Sequence, residues 1–188
     1  LHYPLRRQRQ MCIRDRLISV DPVTKSFVAG EHILVARSPQ ERKALGQFLT
    51  SPNIARYMAR QLSPIRDGDH VLEPALGSGV LACAVIERVM QDRGAHPAPM
   101  ALWIDGYEVD PELAHAARTS LEQARKLAAS RRITLHTTVH ETDFIAAHTS
   151  PGPLFPLADA RHYDHVIANP PYFKLNKQDP RAQALLVQ

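Results

Sequence analysis

The sequence predicts an α/β fold built on a parallel sheet. Three observations carry this expectation: strand-like apolar runs alternate with stretches of helical period, glycine, proline and capping signals separate them, and each strand ends on polar or aromatic residues. A strand, helix, strand, helix, strand, loop, strand order requires crossover connections, and crossovers make neighbouring strands parallel. With 188 residues, 44% of them apolar and 22% charged, the chain can close a single core, and disordered or collagen-like classes are excluded. The two cysteines, Cys12 and Cys83, are too few for a disulfide scaffold or a zinc ribbon. The longest apolar run, residues 80–86, falls far short of the ~18 residues of a spanning helix. Secreted and membrane classes lose their support, and a cytoplasmic protein is expected.

The elements follow in order. Residues 1–16 hold Arg6, Arg7, Arg9, Arg14 and Arg16 against Asp15 alone, so the whole net charge of +4 sits in this head and the body is neutral. The head lacks the apolar stretch of a secretory signal and reads as a disordered or non-native leader. Residues 17–45 read as an N-terminal extension, in which Ser38, Pro39 and Glu41 form a capping-box start for a short helix running toward Gly46. A second helix follows Thr50, Ser51 and Pro52, with Ile54, Met58 and Leu62 on one face. Residues 70–72 form the first strand, and residues 80–90 a buried helix after a glycine turn. Residues 101–107 form the second strand, and Asp110, Pro111 and Glu112 start a helix with an inner stripe of Leu113, Ala117, Leu121, Ala124 and Ala128. Residues 133–139 alternate as a third strand. Prolines at 151, 153 and 156 mark a loop, and residues 163–168 supply a fourth strand ending at Asn169.

In parallel sheets ligands collect beyond the carboxyl ends of the strands. Those ends carry Glu73 with Gly77 and Gly79, then Glu108, then Asp143 with Phe144, then Asn169 to Tyr172. The Gly77-Ser78-Gly79 turn lets backbone approach a ligand and opens into a helix N-terminus. With Ala82 it fits a dinucleotide fingerprint, although a plain strand-to-helix turn has the same form. Leu76 rules out a nucleophile elbow. Glu108 suits the two hydroxyl donors of a ribose, or is an exposed acid before a helix. A carboxylate at Glu73 would repel a pyrophosphate but suits an ammonium or sulfonium centre, which favours S-adenosylmethionine over NAD.

The segment DHVIANPPYF, residues 164–173, has little structural use in a sheet, because prolines end the ladder. Without proline N–H groups the loop offers acceptors only. The side-chain oxygen of Asn169 and the carbonyl of Pro170 suit an exocyclic amine, with Tyr172 stacking on its ring. An ordinary proline turn is the alternative.

Five pieces now stand in order: LGQFLTSPNIARYMA at 45–59, VLEPALGSG at 71–79, GYEVDP at 106–111, TDF at 142–144 and NPPY at 169–172. In this order the chain resembles the N6-adenine DNA methyltransferases of bacterial restriction-modification systems, in the arrangement where the cofactor motifs precede the catalytic one. The resemblance implies a Rossmann-like S-adenosylmethionine-dependent methyltransferase fold with helices on both faces of a parallel sheet. It implies that Thr50 helps hold the methionine carboxylate, and that Glu73 and the backbone from Ala75 through Gly77 to Gly79 line the methionine. Glu108 would bind the ribose, Val109 would touch the cofactor adenine, and Asp143 and Phe144 would contact that base. Asn169, Pro170, Pro171 and Tyr172 would form the catalytic loop around an adenine flipped out of double-stranded DNA. Ser51 stands where proline is common in the family, and Leu76 where a small residue or cysteine is frequent.

No metal is needed for this chemistry. His136 and His140 have a metal-like spacing, but on a strand they stand about 13 Å apart. The chain stops at Gln188, sixteen residues after Tyr172, and residues 182–188 look like the opening of a helix. The resemblance implies further strands and a DNA-recognition region beyond that point. Residues 46–188 are therefore expected to be an incomplete catalytic domain, truncated after the fourth strand and inactive alone. The rivals are a protein-glutamine or RNA-base methyltransferase and, from another class, a non-catalytic nucleotide- or NAD-binding module. The first would be expected to show DxGxGxG in place of EPALGSG, and the last leaves Asn169 to Tyr172 without a role.

Overall fold

The computed structural model describes residues 21–44, 47–94, 97–149 and 162–170. The basic leader, the proline loop, Pro171, Tyr172 and residues 182–188 lie outside them. The first element is a helix that the sequence reading left unassigned, α1 (Pro22–Val35). Its signals are the same as those before Pro111. Asp21 accepts the Thr24 backbone N–H and the Thr24 hydroxyl, each at 2.9 Å, and Pro22 opens the first turn. Its inner face is hard to read because it is made of Pro22, Val23, Ser26, Gly30 and Leu34.

Helix α2 (Pro39–Ala44) starts at the expected capping box: the Ser38 N–H donates to Glu41 Oε2 at 2.7 Å, and the Glu41 N–H donates back to Ser38 Oγ at 3.2 Å. Helix α3 (Pro52–Gln61) buries Ala55 and Ala59, while Met58 and Leu62 are only half-buried and Ile54 is 53% exposed. The expected stripe is thus rotated by one position. The reason is the close approach of α3 to the following helix, where methyl groups fit and larger side chains do not.

Strand β1 (His70–Glu73) leads through the glycine turn to α4 (Val80–Asp92), buried along most of its length. Strand β2 (Met100–Tyr107) leads to α5 (Pro111–Ala129), whose expected stripe is buried at all five positions. Strand β3 (Ile133–His140) is followed by a short helix, α6 (Phe144–Thr149), and by β4 (His165–Val166). The last ladder is shorter than residues 163–168, yet Asp164 N donates to His70 O at 2.9 Å and Ile167 N to Leu72 O at 3.0 Å, so it is a difference of boundary.

All the strands are parallel, in the order β3-β2-β1-β4. Among the described residues this is a Rossmann-like strand order, and it reverses between β1 and β4. Register decides the two faces. Val71, Ile104 and Thr137 are level, as are Leu102 and Leu135, and this face packs against α1, α3, α4 and α5. The other face carries a ladder of rings, in which Trp103 stacks between His70 at 5.0 Å and His136 at 4.7 Å. Farther along, Tyr107 stacks on His140 and meets Phe144 and His148 of α6 edge-on. His136 and His140 are therefore each engaged with a different ring. His165 faces the core side, with Nε2 2.9 Å from Asp69 Oδ2 and Nδ1 3.3 Å from Ser63 Oγ.

Arginines stitch the helices together. Arg56 of α3 reaches Glu87 of α4 and the Asp21 cap of α1. Arg88 of α4 donates to the carbonyls of Ala59 and Leu62 at the end of α3, the first of which also accepts the Leu62 N–H at 3.4 Å. No helix among the described residues is long and apolar enough to cross a membrane.

Helix α1 tests this packing. A Cβ on Gly30 would lie 2.5 Å from Ser78 Oγ and 2.6 Å from Leu49 Cδ1, whereas one on Gly94 meets nothing within 4 Å. Gly30→Ala should lower stability by about 1 to 3 kcal/mol, because overpacking outweighs the helix propensity of alanine. Gly94→Ala should change it by less than about 0.5 kcal/mol. Urea denaturation of both variants checks this, and equal midpoints would show that Gly30 is not a close contact.

Candidate functional site

The site is built at the carboxyl ends of β1, β2 and β4. Glu73, the last residue of β1, is 1% exposed, and its Oε2 accepts the Ala82 N–H at 2.9 Å. A carboxylate nine residues upstream thus caps the first turn of α4, whose own cap residue, Gly79, has no side chain to do so. Burial pushes the Glu73 carboxyl well above the usual carboxylate range; the Ala82 amide opposes this and the Glu108 charge adds to it.

The turn between them has Gly77 at φ 54° and Gly79 at φ 87°, both in the left-handed region that favours glycine. Leu76 N donates to Tyr107 O at 2.8 Å, tying the turn to the end of β2. The unusual leucine has a physical reason. Leu76 is buried on Gly106, where a Cβ would lie 2.7 Å from its side chain, so the bulk at 76 fills the space left by a glycine at 106. On the far side, Ser26 of α1 donates its hydroxyl to Ser78 O at 2.5 Å.

Glu108 bridges two motifs. Its Oε2 accepts the Gly77 N–H at 2.7 Å and its Oε1 accepts the Asp110 N–H at 2.9 Å. Burial raises its carboxyl, while the amides of Asp110 and Gly77 pull against the shift. Each oxygen keeps a second lone pair, so the bridge leaves room for the donors of a ribose. Beside it Val109 is 58% exposed and offers an apolar surface.

Asp110 is a centre that the sequence reading saw only as a helix cap. Its Oδ1 accepts the N–H groups of Glu112 and Leu113 at 3.0 and 3.1 Å. Arg37 grips the same carboxylate with both guanidinium nitrogens, one at 3.1 Å from Oδ1, and Gln47 Nε2 donates to Oδ2 at 2.8 Å. Burial alone would raise this carboxyl; the side chains of Arg37 and Gln47 and the Leu113 amide hold it down at about 2. Gln47 lies inside the LGQFLTSP segment, which is a signal; Arg37 has none.

The same segment continues as Leu49, which lies 3.5 Å from where a Gly77 Cβ would be, and Thr50, which is 8% exposed. Thr50 Oγ1 accepts Asn169 Nδ2–H at 2.8 Å. Two residues assigned separately, one to the cofactor and one to catalysis, are hydrogen-bonded to each other. Phe48, between Gln47 and Leu49 in the same segment, is 68% exposed.

The remaining expected residues are placed as follows. Ala75 is half-buried in the turn, and Pro170 is exposed beside Asn169. Asp143 is exposed and accepts the Ala146 N–H at 2.9 Å, and Phe144 packs among Tyr107 and His148 at the edge of the sheet. Pro171 and Tyr172 lie outside the described residues. Among the described residues no group of three or more His, Cys, Asp and Glu side chains is placed to hold a metal ion.

Asp110 also sets a pH dependence. Its depressed carboxyl contributes stability fully above its ordinary value of 3.8, and the contribution disappears as pH falls from there through about 2. Asp110→Asn should therefore be less stable than the parent by about 1 to 2 kcal/mol at pH 6, and the gap should close toward pH 2. Denaturation of both proteins across pH 2–6 measures it, and a constant gap would separate Asp110 from the linkage.

Comparison with known proteins bears on the whole arrangement. No curated protein matches the sequence. A chain from Listeria monocytogenes described as a class I S-adenosylmethionine-dependent methyltransferase superposes with a TM-score of 0.44 at 17% identity, over 78% of this chain and 40% of that one. The human methyltransferase 10 domain containing protein superposes with a TM-score of 0.36 at 14% identity, over 81% of this chain and 63% of its own. This chain thus spans less than two thirds of the length of either. The model of the N-6 DNA methylase family matches residues 28–184, which include α1 from Val28 onward, the glycine turn, the Glu108 bridge and the NPPY loop. The chain belongs to the N-6 DNA methylase family.

Proposed function

We propose that this chain carries the cofactor pocket and catalytic loop of an S-adenosylmethionine-dependent enzyme that methylates the exocyclic N6 amine of adenine in double-stranded DNA. Site-specific modification within a restriction-modification system is the setting that this reading favours, with a flipped base as the reacting species. The observation that carries it is the hydrogen bond between Thr50 and Asn169, which joins the amine-binding loop after β4 to the segment lying along the glycine turn.

The buried groups suit the cofactor. Among the described residues no cationic side chain lies against the Glu73 carboxyl, so a ligand ammonium at the turn supplies a favourable counter-charge to its ionised form. Glu108 accepts ribose hydroxyls, Val109 packs on the adenine, and Asp143 and Phe144 border the same base. Thr50 faces the methionine carboxylate. S-adenosylmethionine supplies an electrophilic methyl group on a sulfonium.

The protein's task is then to prepare the amine. Its lone pair is delocalised into the purine ring and is a weak nucleophile. Asn169 Oδ1 and the Pro170 carbonyl accept its two N–H groups, draw the nitrogen toward tetrahedral geometry and stabilise the positive charge that develops there. Tyr172 stacks on the flipped base, which fixes the line from nitrogen to methyl to sulfur; alignment of this kind is worth ~7 to 11 kcal/mol. The methylated amine then loses its extra proton to solvent or to an acceptor of the loop.

Asn169→Ala in the complete enzyme should lower kcat by about 10² to 10³ and change cofactor affinity far less, because the lost acceptor acts mainly on the transition state. Labelled methyl transfer to adenine-containing duplex DNA measures the first and calorimetry the second; full activity would remove the acceptor role. Glu73 yields a second expectation. S-adenosylhomocysteine should bind with release of a proton, and more tightly as pH rises through the raised carboxyl of Glu73, since only the carboxylate pairs with the ammonium. Titrations in buffers of different ionisation heat should show the release in the parent and not in Glu73→Gln, whose affinity should fall on the order of tenfold. Equal proton release in both would exclude Glu73 from the ligand.

A further inference from the structure

Asn169 presents a chemical difficulty that the fold must solve. A carboxamide has a donor end and an acceptor end of nearly the same shape, and only the oxygen can accept the hydrogen of an amine. In the reversed orientation Asn169 would offer N–H groups to a target that also offers N–H groups.

Two features of the chain remove the ambiguity. An asparagine oxygen ordinarily captures a backbone N–H one or two residues onward, forming an Asx turn. Here the next two residues are Pro170 and Pro171, which have none. At the other end of the amide, Nδ2 donates to Thr50 Oγ1 at 2.8 Å, across 119 residues of sequence. The nitrogen is engaged, and the next two residues have no backbone N–H to offer the oxygen.

Thr50 is suited to hold that position. It is buried to 8% exposure and directly precedes Ser51, the N-cap of α3. Helix α3 is itself pinned to α4 through Arg56 and Arg88. On its other side Leu49 is wedged near Gly77 and Gly30, and Gln47 is bonded to Asp110. The Thr50 oxygen is therefore placed by a rigid surround and not by its own chain alone. A hydroxyl that accepts from Asn169 has its own proton to donate. An anionic acceptor bound over Thr50, such as the carboxylate of an amino acid, accepts a hydrogen bond from that hydroxyl, polarises it and strengthens its hold on the amide.

We propose that Thr50 is a positioning residue: its hydroxyl accepts the Asn169 amide N–H, turns the amide oxygen toward the target amine, and makes that orientation respond to occupancy of the cofactor pocket. This rests on the methyl-transfer reading above and adds to it a means by which cofactor binding prepares the catalytic loop.

The chain has three asparagines, Asn53, Asn169 and Asn176, so labelling asparagine with nitrogen-15 gives a side-chain spectrum simple enough to assign, with Asn169→Asp identifying the Asn169 pair. One Asn169 amide proton should exchange with water several-fold more slowly in the parent than in Thr50→Val, and Thr50→Ser should restore the slow exchange. Adding S-adenosylhomocysteine should shift that proton downfield in the parent and in Thr50→Ser, and not in Thr50→Val. Equal exchange in all three proteins would overturn the positioning role, as would a hydroxyl that donates to Oδ1, since the NH₂ group would then be unprotected. Calorimetric titration of the parent with S-adenosylhomocysteine separates the two levels. No binding, with exchange still dependent on Thr50, would overturn the methyl-transfer reading and the response to occupancy while the contact stands. Binding, with exchange indifferent to Thr50, would overturn the positioning role alone.

Discussion

The turn from Leu76 to Gly79 packs against two neighbouring glycines, Gly106 and Gly30, at positions where a Cβ would clash with it. Leu76 lies on Gly106, Ser78 faces Gly30, and Gly79 rests 3.5 Å, measured from where its Cβ would be, on Ala117. Each contact comes from a different element: β2, α1 and α5. Because interiors are close-packed, these elements cannot shift independently without opening a void or forcing a clash. The left-handed geometry of Gly77 and Gly79 is permitted by their lack of a side chain, and their neighbours pack on it at ordinary contact distance. A ligand meeting this turn encounters backbone that is already arranged.

Charge is arranged on the same frame. Glu73, Glu108 and Asp110 are three carboxylates in one region, and each is bonded to backbone amides at the start of a helix or turn. Their environments differ in an informative way. Asp110 has Arg37 and Gln47 against it and is held low, which marks it as framework. Glu73 and Glu108 have amide donors but no cationic side chain among their main partners, and burial raises both. Unfavourable burial of a carboxylate beside a second one is relieved by a bound cation or hydroxyl donors. Asp110 is thus distinguished from Glu73 and Glu108 by what lies opposite it.

Much of this was legible in the residues, and the failures have physical causes. The parallel sheet, the glycine turn and the α5 stripe follow from local patterns: apolar alternation, left-handed glycines and a period of four. The capping box at Ser38 was equally local. Helix α1 went unassigned although Asp21-Pro22 repeats the signal of Asp110-Pro111, because its inner face uses serine and glycine, which a search for apolar side chains passes over. The stripe of α3 was placed one residue off for a related reason: alanines at 55 and 59 face a close neighbour, and the larger Ile54 is turned outward. Arg37 and the pairing of Thr50 with Asn169 had no local signal. They depend on distance in space between residues far apart in the chain, which a single sequence does not encode in any period.

That separation has a consequence for how the site comes into being. The contact of Arg37 with Asp110 spans 73 residues, that of Ser26 with Ser78 spans 52, and that of Thr50 with Asn169 spans 119. During synthesis from the N-terminus, α1 and the LGQFLTSP segment leave the ribosome well before anything they embrace. Loop closure of this length costs entropy before contacts return it, so such pairings form late. The helices α3 and α4, adjacent in sequence and stitched by Arg56 and Arg88, need no such wait. Helices α3 and α4 can therefore pair before the segment after β4 emerges, and the contact between Thr50 and Asn169 closes only afterwards.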